Sequence, residues 1–128
     1  MPERRKQTRK SLMSYSQVFD LNGGILLGYL ADLTQQGAMV ISQRVMDVDR
    51  EIDLQFEVPE LEGIPLRRLS LPARIVWCKP DISPSFQNIG FEFRETTPEQ
   101  VKVIEAIIET YEFRHEAPVY PFRPATKR

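Results

Sequence analysis

One cysteine, Cys78, and one histidine, His115, are all this chain has of two side chains that most often act as metal ligands and nucleophiles. A lone thiol excludes an intrachain disulfide and suits a reducing compartment. No residues have metal-ligand spacing, Cys78 has no histidine near it in sequence, and no G-x-x-x-x-G-K phosphate loop occurs. An enzyme is therefore poorly supported, no cofactor is expected, and His115 reads as a solvated side chain near a helix end. Long apolar runs are missing too. The longest, 24–33, is too short to span a bilayer and contains Asp32. The stretch Ser11-Leu12-Met13-Ser14-Tyr15-Ser16 is too polar for the core of a signal peptide. The expectation is a cytoplasmic protein that does not insert into membranes. Positive charge is not in excess: the net charge is −1, so generic nucleic-acid binding is disfavoured and any electrostatic function must be local.

What is present is an ordinary globular composition, 41% hydrophobic and 27% charged over 128 residues, enough for one domain with its own core. Strand-like patterns run over 15–20, 24–33, 37–42, 51–58, 69–79 and 88–94. Asn22-Gly23 between the first two is a hairpin signal, because both turn positions need positive φ. Ile52, Leu54, Phe56 and Val58 share one face of their strand; Ala73, Ile75 and Trp77 share one face of theirs, where Pro72 suggests a bulge or an edge. Six short strands without crossover helices predict an antiparallel β-barrel or sandwich. Thr97-Pro98-Glu99-Gln100 then predicts a capped helix start. Val101, Ile104, Ile107, Ile108 and Tyr111 form an apolar stripe, read first as a core-packing face and second as a partner-docking face. Residues 1–11 read as a flexible basic arm, 12–116 as the barrel and its helix, and 117–128 as a disordered, proline-rich tail.

The arm, Glu3 to Ser11, carries Arg4, Arg5, Lys6, Arg9 and Lys10 against one acid. If Leu21 faces Gly24 across a two-residue turn, Asp32 falls opposite Met13. The backbones of Arg9 and Asp32 are then about 13–15 Å apart, a nucleotide-sized gap. Asp32 and Thr34 project from one face, and Gly37 permits positive φ or close approach to the backbone. A carboxylate can accept both donors of guanine's Watson–Crick edge, an arginine fork matches N7 and O6, and a phosphodiester wants a second guanidinium and hydroxyl or backbone donors. Arg5 and Arg9 with Asp32 and Thr34 supply these groups.

Arg5-Lys6-Gln7-Thr8-Arg9, an R-x-x-x-R, followed by Asp32-Leu33-Thr34-Gln35-Gln36-Gly37, resembles the paired motifs of the PilZ domain, a bacterial receptor for cyclic dimeric GMP. Arg74-Ile75-Val76-Trp77 and Asn88-Ile89-Gly90-Phe91-Glu92-Phe93 resemble its late hairpin, and the closing helix fits as well. The resemblance covers roughly 3–114. It implies a six-stranded barrel with a C-terminal helix. Arg5 and Arg9 would hold guanine Hoogsteen edges and phosphates, Asp32 the Watson–Crick edge, and Thr34 and the Gly37 backbone would complete the clamp. Arg4, just before the first motif arginine, admits a stacked pair of ligands, and Trp77 would lie near the bases or in the core. Thr34 replaces the usual serine; its methyl restricts χ1 and crowds the ligand. The resemblance implies a switch that orders the arm and signals to an effector protein. The alternatives are an adaptor of this family that does not bind ligand and, further off, a single-stranded nucleic-acid binder, whose exposed aromatics along a basic groove are not evident.

Overall fold

The computed structural model describes residues 10–13, 16–113 and 117. In chain order the elements are β1 (Ser11–Met13), β2 (Gln17–Asp20), β3 (Ile25–Leu33), β4 (Gly37–Ser42), β5 (Glu51–Glu57), β6 (Arg68–Pro80), β7 (Gln87–Phe93), α1 (Pro98–Thr110) and β8 (Tyr111–Phe113). Strands β2 to β7 close into a barrel in the order β2-β3-β4-β7-β6-β5, antiparallel throughout, as the six sequence patterns predict. Alternation fills it. Leu54, Phe56, Leu71, Ile75 and Ile89 point inward and are buried, while intervening polar positions face out.

The helix seals this core. Its capping box forms as expected: Gln100 N–H donates to Thr97 Oγ1 (3.2 Å) and Thr97 N–H to Gln100 Oε1 (2.9 Å). Gln100 Nε2 also donates to the Ser70 carbonyl (3.0 Å), tying the helix start to β6. The buried face is Val103, Ile104 and Ile107, so the expected stripe is centred slightly differently, with Val101 and Ile108 at its margins.

Four local geometries differ from the sequence pattern. The β2–β3 turn places positive φ at Gly23 (93°) and Gly24 (65°), not at Asn22, whose N–H instead bonds Asp20 Oδ1. Asp20 pairs with Ile25, as a turn closed by Leu21 and Gly24 would require, but a bulge between Val18 and Phe19 shifts the pairing beyond it. Asp32 therefore does not face Met13, which pairs with Phe113 in a separate parallel sheet, β1-β8. Pro72 lies in an interior strand, paired with Asp53; its carbonyl accepts from Arg94 N–H just past β7, so its missing donor falls where β7 has ended. The helix stops at Thr110, and Tyr111, expected on the helical stripe, begins β8. Its hydroxyl donates to the Glu60 carbonyl (3.2 Å). His115 lies outside the described residues.

Candidate functional site

Two bulges shape one outer wall of the barrel. In β3 the register against β4 slips between Leu30 and Asp32, leaving Ala31 as the extra residue; in β6 the register against β7 slips between Ile75 and Trp77, leaving Val76 extra. Each slip changes which residue joins the neighbouring row. The pairs Asp32–Met39, Met39–Gly90 and Gly90–Trp77 run continuously across β3, β4, β7 and β6. Without the bulges the same row would end in Ala31 and Val76. With four strands about 4.8 Å apart, Asp32 and Trp77 stand on the order of 14 Å from each other. Between them lies an open cleft of about 390 Å³, whose lining includes Asp32, Thr34, Gly37, Met39, Trp77 and Glu92. Bulges commonly re-aim side chains beside functional sites.

Trp77 was expected to share a face with Ala73 and Ile75. The bulge separates them: Ala73 and Ile75 are buried in the core, whereas Trp77 is half-buried on the outer wall and Cys78 packs inward in its place. Gly90 seats the indole. A Cβ built there would lie 2.3 Å from the ring's Nε1 and Cε2, so any side chain at that position collides with Trp77. Lys79 Nζ stands 5.7 Å from the indole centroid, within cation–π range.

At the other flank, Thr34 and Gly37 close the β3–β4 hairpin. Thr34 N–H donates to the Gly37 carbonyl (2.9 Å), and Thr34 Oγ1 accepts from Gln36 N–H (3.2 Å) and Gly37 N–H (3.1 Å). The hydroxyl thus caps the turn. Gly37 has no positive φ and allows the close approach of β4 to β7: its hypothetical Cβ would sit 2.1 Å from the Phe91 carbonyl oxygen. Asp32 Oδ1 accepts from Leu33 N–H (2.9 Å), which orients the carboxylate. Thr34→Val is expected to remove the cap and cost about 1 kcal/mol, whereas Thr34→Ser keeps it. Urea unfolding of both variants checks this; equal midpoints would deny the hydroxyl that role.

One guanidinium beside the cleft is shared by two acids. Arg74 reaches Glu92 (3.0 Å) and also bonds Asp49. The hydrogen bond to Glu92, the largest influence, raises the Arg74 pKa above its ordinary value. The Glu92 carboxylate at the cleft edge is thereby offset by a guanidinium, which reduces its repulsion of an anion.

The structure brings four predicted site residues, Asp32, Thr34, Gly37 and Trp77, to this one cleft. Arg4, Arg5 and Arg9 lie outside the described residues. The chain next to Arg9 is fixed: Lys10 Nζ donates to the Ile108 carbonyl (2.9 Å) at the end of α1, and β1 pairs with β8. Met39 and Gly90 were not singled out as site residues from the sequence, although a glycine inside a strand pattern is itself a signal of close approach. Among the described residues, no three His, Cys, Asp or Glu side chains gather as a metal site, and no helix is long and apolar enough to cross a membrane.

Two solved structures share this architecture. The Bacillus subtilis inhibitor of motility, MotI/DgrA, aligns with a TM-score of 0.57 at 16% identity, over 77% of this chain and 47% of its own, so the present chain spans about half of that protein. The PilZ domain of YcgR from Escherichia coli, solved with c-di-GMP, aligns with a TM-score of 0.54 at 13% identity, over 73% of this chain and 78% of its own. At these identities the likeness is one of fold. No curated protein matches the sequence. Residues 3–110 match the PilZ domain family, the arginine-rich start and the helix included, and the chain belongs to that family.

Proposed function

We propose that this PilZ domain is a receptor for cyclic dimeric GMP that binds the dinucleotide in the outer-wall cleft and relays its presence to a protein effector. The observation that carries this reading is the row Asp32–Met39–Gly90–Trp77, a carboxylate and an indole facing across two strands. In the proposed complex Asp32 accepts the N1–H and N2–H₂ donors of a guanine. Trp77 offers a ring for base stacking, with Lys79 close by for a phosphate. The cleft volume falls in the range of small-molecule sites. Arg5 and Arg9 hold Hoogsteen edges and phosphates from the arm side, and Arg4 beside them admits a stacked pair. Capture of a dianion would draw residues 1–9 over the cleft, with the pivot at Lys10 and β1. The action is switching, without chemistry on the ligand, in the cytoplasm, and the described PilZ domain solved with c-di-GMP supports the choice of ligand.

Calorimetric titration tests this. Wild type is expected to bind cyclic dimeric GMP saturably and to ignore GTP. Asp32→Ala, which loses a bidentate contact worth about 1–3 kcal/mol, is expected to bind roughly 5–150-fold more weakly. Arg9→Ala should also weaken binding, most at low salt, where the guanidinium–phosphate attraction is least screened. The stoichiometry distinguishes one ligand from a stacked pair. Absence of binding by folded wild type would leave an adaptor that works through protein contacts alone.

A further inference from the structure

A second apolar cluster lies on the outside of the barrel, apart from the main core. Ala31, Ile41 and Phe86 are buried there, Met39 packs against them, and the fourth buried member is Ala117, 7% exposed. Ala31 and Ile41 would be open wall residues without a cover. Ala117 follows β8 in sequence and is the last described residue, so the C-terminal segment reaches the outer face of β3 and β4. From that point an apolar groove of about 300 Å³ continues along the same face, lined among others by Ile41, Phe86, Tyr29, Leu26 and Arg44.

We propose that this groove is the docking site of the chain's own C-terminal segment, Pro118-Val119-Tyr120-Pro121-Phe122, which straps the β3–β4 wall beside the cleft. Three observations choose this occupant. The chain is already seated at the groove's edge through Ala117, which touches the same Ile41–Phe86 cluster that lines the groove. The lengths agree: five residues beyond Ala117 in a polyproline conformation extend about 15 Å, and β3 from Ala31 to Leu26 spans about 16 Å. The side chains agree as well. Prolines at 118, 121 and 124 recur every three residues and so fall on one face of such a helix. Ala117 and Tyr120 share a second face, Val119 and Phe122 the third, which gives the groove two apolar faces to clasp. Proline there sacrifices no barrel hydrogen bond, and Arg44 at the rim suits an aromatic ring.

The strap would act on the cleft through two residues. Ala31 is the bulge residue immediately before Asp32, and Met39 belongs both to the strap's cluster and to the cleft lining. The inference stands independently of which ligand the cleft takes.

Methyl NMR on the full chain, without ligand, tests it. The expected result is nuclear Overhauser contacts from the Tyr120 and Phe122 rings to the methyls of Leu26 and Ile41, unchanged on dilution. In the full-length Tyr120→Ser/Phe122→Ser variant those methyl resonances should move, while the methyls of Ile104 and Ile107 under the helix stay in place and report an intact fold. Absence of the ring contacts in wild type would overturn the proposal. Contacts seen only between differently labelled copies would overturn it too, because the occupant would then be another molecule's tail.

Discussion

Gly37→Ala is expected to lower the melting temperature by on the order of 10 °C, corresponding to a loss of about 3 kcal/mol for a domain of this size. The cause is steric and backbone-borne. The added Cβ would lie 2.1 Å from the Phe91 carbonyl oxygen and 3.2 Å from its carbon. A long side chain could swing away; a carbonyl within a sheet cannot move without disturbing the β4–β7 pairing. Overpacking usually costs about 1–3 kcal/mol, and two circumstances push this case to the upper end. Gly37 N–H and carbonyl both bond to Thr34, so moving Gly37 opens the hairpin turn. Its neighbour Gln36 accepts from Phe93 N–H (2.8 Å), so the disturbance reaches the end of β7 as well. Relief is available because Gly37 starts its strand and can splay outward, and that keeps the domain folded. The splay has a functional cost, since it moves Thr34 and the hairpin away from the cleft. Circular dichroism melts paired with titration of cyclic dimeric GMP check both effects. A melting temperature within a degree of wild type would mean that the close approach of β4 to Phe91 is absent in solution.

The barrel and the helix start were legible in the sequence because their signals are repetitive or chemically specific. Ile52, Leu54 and Phe56 alternate without interruption, and they are buried as expected. Thr97, Pro98 and Gln100 state a helix start with three separate residues, and the capping box forms. Asp32, Thr34 and Gly37 were found by motif and spacing and do line one cleft. What escaped depends on long-range geometry. Alternation is a strict two-residue rule, so it carried Trp77 inward with Ala73 and Ile75; a single extra residue, Val76, reverses it. Nothing in Ile75-Val76-Trp77 advertises that bulge locally. The hint lies across the sheet in Gly90, a strand glycine whose missing side chain makes room for the indole. The β1–β8 pair escaped for a different reason. Tyr111 continues the helical spacing of Ile104, Ile107 and Ile108, and no glycine marks the end of α1, so the helix pattern masked a three-residue strand whose partner is about 100 residues away in sequence. Thr34 shows a third limit. Its residue type did not reveal that its hydroxyl accepts from two amides of its own turn.

If the indole lies over Gly90, alanine at 90 and alanine at 77 must depend strongly on each other. Gly90→Ala alone is expected to cost about 1–3 kcal/mol, because its methyl enters the space held by Nε1 and Cε2 of Trp77, 2.3 Å away. The side chain can swing aside, so the indole should leave the outer wall, lose its place near Lys79, and shift its fluorescence towards the red. Ligand affinity should fall with it. Trp77→Ala alone removes the stacking surface and, at about 1–3 kcal/mol per stacked base, is expected to weaken binding roughly 5–150-fold. In the double variant the clash has no second party. Adding Gly90→Ala to Trp77→Ala should therefore cost a few tenths of a kcal/mol in stability at most, and should not reduce affinity further. The double-mutant cycle would then show a coupling of about 1 kcal/mol or more, the signature of direct contact. Asp32→Ala serves as the contrast: it stands at the far end of the same row, does not touch Gly90, and its effect on stability should add to that of Gly90→Ala. Strict additivity of the Gly90 and Trp77 changes would place the indole elsewhere, and with it would go the case for a base stacked on the barrel's outer wall.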